Sequence, residues 1–150
     1  MKKILFIIAT IMLVACNGSS KELRDTLPCD YPTLSREDTM LAMADAFAIQ
    51  ESRCTPDAVS PCGRYVGCLQ ISKIMVREAN RVLDGNYFEY NDRYDADLSY
   101  GMFYAVMHHH NPDLDIDRAV DIWNPRCQRE YRENVRHYYD SILCERISQM

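Results

Sequence analysis

Residues 35–51 read SREDTMLAMADAFAIQE, and this stretch indicates the fold class because its apolar residues recur at helical spacing. Ser35 with Asp38 three residues later resembles a capping box, a side-chain arrangement that starts many helices. The apolar stripe that follows consists of Met40, Met43, Ala44, Phe47 and Ala48. We therefore predict a helix that packs this stripe into a core.

Glu51 lies on the same helical face as the stripe, one turn after Phe47. Burial on the core side and the partial negative charge at a helix C-terminus both raise the pKa of a carboxyl. A carboxyl that stays protonated near neutral pH can act as a general acid on the leaving oxygen of a glycosidic bond. The alternative is that the helix ends at this point and Glu51 turns into solvent.

The rest of the chain is also helical in pattern, after a loop at 53–69 that is rich in proline and glycine. Four more helices are predicted, one capped by Ser72 and stopped at Gly85, one opened by Asp95 or Asp97, a short one from Asp115 or Asp117 to Trp123, and one over 126–147. A tyrosine-rich stretch at 86–94 is an ambiguous strand candidate. The chain is therefore predicted to be a small all-α domain.

The composition describes a soluble globular chain of 150 residues, with 47% hydrophobic and 26% charged residues. Lys and Arg total 17 against 22 Asp and Glu, a formal net charge of −5. Such a chain offers no strongly basic surface to a phosphate backbone. Nucleic acid is therefore not expected as a partner.

The N-terminus resembles a bacterial lipoprotein signal, with Lys2 and Lys3 before an apolar run that ends at Cys16. The resemblance implies a signal peptide at 1–15, a lipid on the Cys16 sulfur, a tether at 16–32 and a domain at 33–150. The lipid would anchor the chain to a membrane of the cell envelope, facing the periplasm or the exterior. The alternatives are a signal peptide cut elsewhere and an unprocessed anchor.

Six further cysteines are an even set, which outside the cytoplasm suggests up to three disulfides. These candidates are Cys29, Cys54, Cys62, Cys68, Cys127 and Cys144. Their pairing is open, although we expect Cys54, Cys62 and Cys68 to crosslink the long loop beside Glu51, either with one another or to Cys127. The competing interpretation is a zinc site, but these cysteines lack the paired Cys-x-x-Cys spacing that is usual for zinc. Neighbouring residues of the His108–His110 run point in different directions on a helix, so no metal and no cofactor are expected.

Three segments beside Glu51 carry a family resemblance: ES at 51–52, AVSP at 58–61 with Gly63, and GCLQI at 67–71. Together they resemble the active-site motif of soluble lytic transglycosylases of the lysozyme-like superfamily. The link from Gly63 to Gly67 is longer than the common family pattern. Cys68 also stands where the family usually has an apolar residue.

The resemblance implies a lysozyme-like helical fold in which Glu51 is the single catalytic acid. It also implies that Ser52, Ser60 and Gln70 belong to the substrate-binding groove. A fainter match at 119–124, AVDIWN, implies that the side chain of Asn124 approaches substrate. The alternative to this substrate-binding role is that Asn124 only ends a helix before Pro125.

Residues 131–135, YRENV, resemble a later family segment whose tyrosine reaches back toward the catalytic acid. This implies that Tyr131 belongs to the site, the alternative being a tyrosine buried for packing. The order of Glu51, Gln70, Asn124 and Tyr131 along the chain agrees with the family.

The resemblance implies an enzyme that cleaves the bond between N-acetylmuramic acid and N-acetylglucosamine in peptidoglycan strands. It forms a 1,6-anhydro ring, without water as acceptor and without a metal or cofactor. Glycosidases that use two carboxylates need a second acid about 5 to 10 Å from the first. Asp57 could be offered as this nucleophile or base, but its only support is that it lies near Glu51 in the sequence. A muramidase of the same fold and a catalytically silent glycan-binding lipoprotein are the alternatives. An envelope-spanning machine is a further partner to consider.

Overall fold

A computed structural model describes residues 34–150, in which every regular element is helical. The helices are α1 (Arg36–Ser52), α2 (Lys73–Val82), α3 (Ala96–His110), α4 (Ile116–Trp123) and α5 (Arg129–Ser148), with a 3₁₀ helix at Tyr90–Tyr94. The expected all-α class is confirmed for this part of the chain. The predicted signal peptide at 1–15, the lipidated Cys16, the tether at 16–32 and Cys29 lie outside the described residues.

Four helices begin at the side-chain caps that the sequence predicts. Ser35, Ser72, Asp95 and Asp115 each accept a hydrogen bond from a backbone N–H three residues later. Such a bond satisfies one of the amide groups that the first turn of a helix leaves unpaired. Of the two alternatives given for α3 and for α4, the earlier aspartate is the cap in both.

The end of α2 differs from the prediction that Gly85 stops it. Asp84 takes the left-handed conformation, with φ of 54°, and Gly85 comes one residue later. The Gly85 N–H donates to the carbonyl of Asn80 and the Asp84 N–H to that of Arg81, the pair of bonds of a Schellman motif. A Cβ at Gly85 would lie 2.5 Å from the ring of the exposed Tyr87, which would have to move to admit it.

Two boundaries also differ from the sequence pattern. The last helix begins at Arg129 and not at 126, because residues 124–127 form a turn in which the Cys127 N–H donates to the Asn124 carbonyl. The stretch 86–94 forms an irregular segment and a 3₁₀ helix in place of a strand. Both differences are local, so the order of the five helices stays as predicted.

The core surrounds α1, whose residues from Ala42 to Ala48 are nearly all buried. Helices α3 and α5 pack against it. Phe47 of α1, Phe103 of α3 and Trp123 of α4 form an aromatic cluster with ring centroids 5.0 to 6.1 Å apart. This packing fixes the C-terminal end of α1, which carries Glu51, relative to the other helices.

A polar link joins α1, α3 and α5 on another side of the core. The Tyr100 hydroxyl donates to Asp45 Oδ1 at 2.8 Å, and Arg146 donates to Asp45 Oδ2 at 2.9 Å. Both carboxylate oxygens of this half-buried aspartate are thus paired, which offsets the cost of removing it from water.

The long loop between α1 and α2 has no regular strand, as predicted. Isolated antiparallel bridges pair Val66 with Val59 and with Ile71. The five cysteines of the described residues are free thiols: Cys54, Cys62, Cys68, Cys127 and Cys144. The disulfide-rich character of the loop therefore stays a prediction. None of the helices over 34–150 is long and apolar enough to cross a membrane.

Candidate active site

Glu51 lies in the last turn of α1, which continues to Ser52. Its side chain is half-buried, and burial raises the pKa of its carboxyl above the ordinary value of 4.5. The helix therefore does not end before this residue, and the alternative in which Glu51 turns into solvent is wrong. The raised pKa has the direction that a general acid requires.

Tyr131 comes from the first turn of α5 and is the hydrogen-bond partner of Glu51. Its hydroxyl donates to Glu51 Oε1 at 2.5 Å. This bond lowers the pKa of Glu51, but burial outweighs it. Burial and the nearby carboxylate raise the pKa of Tyr131 above its usual value, so its hydroxyl keeps its proton. Within residues 34–150 the other Glu51 oxygen has no hydrogen bond and is free to exchange a proton.

Asn124 closes α4 and lies beside Tyr131. Its backbone N–H donates to the Val120 carbonyl at 2.9 Å, so the helix-stop role is real. Its side chain lies near the Tyr131 hydroxyl and lowers the pKa of that group, but burial and Glu51, which raise this pKa, outweigh it. Asn124 and Tyr131 line a cleft of about 390 Å³ together with Gln50. The structure thus brings Glu51, Asn124 and Tyr131 into one site.

Ser52 is hydrogen-bonded within the protein, and its contact with substrate stays a prediction. Its hydroxyl donates to the Cys68 carbonyl at 2.7 Å and accepts from the Thr55 N–H at 2.9 Å. Both bonds tie the end of α1 to the loop that follows it. Ser52 therefore positions the loop beside Glu51, with its hydroxyl already used inside the protein.

Gln70 and Ser60 hold the same loop together. Gln70 Nε2 donates to the carbonyls of Ala58 and Gly67, at 3.2 and 3.0 Å. Ser60 Oγ accepts from the Tyr65 N–H at 3.1 Å. Among residues 34–150 neither side chain bonds to Glu51, so the structure gives both a role in loop shape.

Arg93 is the residue of this region that sequence reasoning missed. It is only 6% exposed, and its guanidinium donates to the carbonyls of Tyr90, Ile71 and Arg64, at 2.6, 3.0 and 3.4 Å. These bonds connect the 3₁₀ helix to the loop that carries Gln70. Arg93 lies among tyrosines and acidic residues in the sequence. Nothing in this pattern distinguishes a buried arginine from a solvent-exposed arginine.

Gly67 lets the loop lie directly on the backbone of Arg93. Its φ is 82°, and a Cβ there would come within 1.8 Å of the Arg93 carbonyl oxygen. Only glycine combines this conformation with this approach. The motif glycine is thus explained by packing of the loop.

In the described chain no second carboxylate acts on Glu51, although the exposed Glu130 lines the neighbouring cleft. Burial and the Tyr131 bond account for the direction of the Glu51 pKa, without a contribution from another acid. Asp57 is exposed in the loop and forms no side-chain hydrogen bond with any residue from 34 onward. Within residues 34–150 the arrangement therefore offers one half-buried acid that is hydrogen-bonded to Tyr131.

The histidine run lies away from Glu51. His110 Nε2 is 2.6 Å from Glu78 Oε1, so this histidine joins α3 to α2. In the part of the chain that the structure describes, no group of three or more His, Cys, Asp or Glu side chains could hold a metal ion.

Known proteins give no independent guide to this site. No protein-family model matches the chain, and no curated protein or solved structure is significantly similar to it.

Proposed function

We propose that the protein is a lytic transglycosylase with a lysozyme-like fold, acting on peptidoglycan strands with Glu51 as its single catalytic acid. The observation that carries this proposal is the contact between Glu51 and Tyr131. The carboxyl is half-buried with a raised pKa, and one of its oxygens is fixed by the tyrosine while the other is free. Both features favour a carboxyl that gives a proton and takes it back, because the raised pKa favours the protonated form.

In the proposed mechanism, protonated Glu51 donates its proton to the oxygen that links N-acetylmuramic acid to N-acetylglucosamine. The acetamido group of the muramyl residue stabilises the positive charge that develops at its C1. The Glu51 carboxylate then takes the proton of the C6 hydroxyl, whose oxygen bonds to C1 and closes the 1,6-anhydro ring. The proton returns to Glu51, and no water is consumed.

Among residues 34–150 no second acid contributes to the pKa of Glu51, which supports this mechanism over hydrolysis by two coupled acids. A retaining or inverting glycosidase places a second acid within about 10 Å of the first, as nucleophile or base. Asp57, the candidate from the sequence, is an exposed loop residue. In a transglycosylase the substrate itself supplies the groups that the second acid would provide.

The proposed setting is the cell envelope. A lipid on Cys16 would anchor the domain to a membrane, and an oxidising compartment would allow the loop cysteines Cys54, Cys62 and Cys68 to pair. The partner is then the peptidoglycan strand within reach of the tether. An envelope-spanning machine that needs a local opening in the wall is a second partner under this proposal.

Mass spectrometry of soluble products tests the function. Purified peptidoglycan is incubated with the wild-type chain and with Glu51→Gln. Anhydro-muropeptides from the wild type alone are the expected result. Reducing ends, heavier by one water, would instead identify a muramidase. Saturable binding of peptidoglycan by both proteins without products would identify a silent glycan-binding lipoprotein.

A further inference from the structure

The cleft beside Tyr131 has an unusual lining. Its volume is about 390 Å³, within the range of small-ligand sites, and it lies between the end of α1, the turn after α4 and the start of α5. Four of its lining side chains are carboxamides: Gln50, Asn124, Gln128 and Asn134. Gln50, Gln128 and Asn134 form no side-chain hydrogen bond with any residue from 34 to 150.

A carboxamide carries an N–H donor and a carbonyl acceptor side by side. A secondary amide carries the same two groups, so it can pair with a carboxamide through both. Gln50 and Asn134 are half-buried, and their unbonded amide atoms reach solvent, where a ligand amide can take the place of water. The two charged residues of the lining, Arg126 and Glu130, have opposite signs. The lining therefore favours a neutral, amide-bearing ligand.

We infer that this cleft binds secondary amide groups of the substrate, and this inference rests on the proposed function. Gln50 directly precedes Glu51, and Asn134 lies one turn after Tyr131 on α5. Tyr131 lines the cleft and donates to Glu51, so one side chain connects an amide held in the cleft to the carboxyl that transfers the proton. In peptidoglycan, such amides occur in the acetamido groups of the sugars and in the peptide stems.

The experiment measures binding, so that it does not depend on turnover. The full-length chain in detergent is titrated calorimetrically with two probes. One is an N-acetylglucosamine pentamer, which has acetamido groups and no peptide. The other is a free stem tetrapeptide, which has peptide amides and no sugar. The variants are Gln128→Leu and the double variant Gln128→Leu with Asn134→Leu. The control is Asn91→Leu, an exposed amide on the 3₁₀ helix.

We expect the double variant to bind one of the probes at least about tenfold more weakly than the wild type, because hydrogen bonds are lost at both positions. The exposed Gln128→Leu variant should show part of this loss, and Asn91→Leu none. The probe whose binding is weakened shows whether the amide comes from the sugars or from the peptide stem. Wild-type affinity of the double variant for both probes, or no binding of either probe by the wild type, would overturn the inference.

The outcome is separable from that of the proposed function. The wild type could give anhydro products while the double variant binds both probes normally. This result would contradict the amide subsite and support the transglycosylase. The double variant could instead bind a probe more weakly while the wild type forms no products from peptidoglycan. This result would support the subsite and contradict the enzymatic function.

Discussion

The Tyr131 hydroxyl lies 2.5 Å from Glu51 Oε1 and joins side chains that are 80 residues apart in the sequence. The contact connects the first turn of α5 to the last turn of α1. It orients one carboxyl oxygen and, through an O–H donor, favours the charged form of Glu51, against the effect of burial. Its removal should therefore change both the rate and the pH dependence of the proposed reaction.

Tyr131→Phe removes this donor while keeping the ring. We expect the rate of peptidoglycan cleavage to fall about tenfold, because the carboxyl loses its orientation. The pKa of Glu51 should rise further, since the lost bond was the one that lowered it. Activity requires protonated Glu51 and declines as pH rises through that pKa, so the alkaline limb of kcat/KM should move to higher pH. An unmoved limb would contradict this, and Tyr65→Phe, at an exposed loop residue, is the control.

Glu51→Gln should reduce cleavage by about 10² to 10⁴, the usual contribution of a general acid. It should also stabilise the fold at neutral pH. The pKa of Glu51 is raised in the folded state, so its favourable contribution is complete below 4.5 and is lost as pH rises through the folded pKa. Thermal unfolding should therefore give a higher Tm for Glu51→Gln at pH 8 and a smaller difference at pH 4. A lower Tm for the variant at pH 8 would argue that Glu51 is charged and well paired.

The sequence predicts those parts of this molecule that depend on near neighbours. Helix caps such as Asp95 act over three residues, and the stripe of α1 repeats every turn, so both can be found by spacing. The position of Glu51 on the core face followed from the same periodicity.

Other features depend on contacts between distant segments, which spacing cannot reveal. Arg93 is buried because the loop at 64–71 folds over it, 22 to 29 residues away in sequence. The Ser52 hydroxyl donates to the Cys68 carbonyl, 16 residues away, so this motif residue anchors the loop through a contact that spacing does not reveal. Helix α5 starts later than the sequence pattern predicts because the Cys127 N–H donates to the Asn124 carbonyl and forms a turn. The apolar spacing of a helix gives no sign of this turn.

Gly67→Ala and Gly63→Ala form a matched pair, since both glycines have positive φ in the same loop. A Cβ at Gly63 meets nothing within 4 Å, so alanine there should cost only about 1 kcal/mol of unfolding free energy. A Cβ at Gly67 would overlap the Arg93 carbonyl, and the loop must move to admit it. We expect a loss of more than about 3 kcal/mol for Gly67→Ala in urea unfolding. Equal losses would mean that the loop is not pressed against Arg93.

Arg146→Met tests the polar link at the other side of the core. It leaves Asp45 with only the Tyr100 hydroxyl as partner, and we expect a loss of about 1 to 2 kcal/mol. The control, Arg129→Met, removes a pair with Glu133 in which the arginine is 90% exposed, and it should change stability little. The two unfolding free energies are compared at pH 7. A loss that is no larger for Arg146→Met than for Arg129→Met would contradict the structural role of the link.

Arg93→Lys keeps the positive charge but replaces a planar, five-donor group by one that cannot reach three carbonyls in the same way. The fold should lose about 1.5 to 3 kcal/mol, because the carbonyls of Ile71 and Arg64 lose a buried partner. Since Arg93 shapes the loop and does not contact Glu51, we expect KM for peptidoglycan to rise severalfold while kcat and the alkaline limb of the pH profile stay close to those of the wild type. A fall in kcat with unchanged KM would mean that the loop takes part in the proton transfer itself and that Arg93 acts on Glu51 through it.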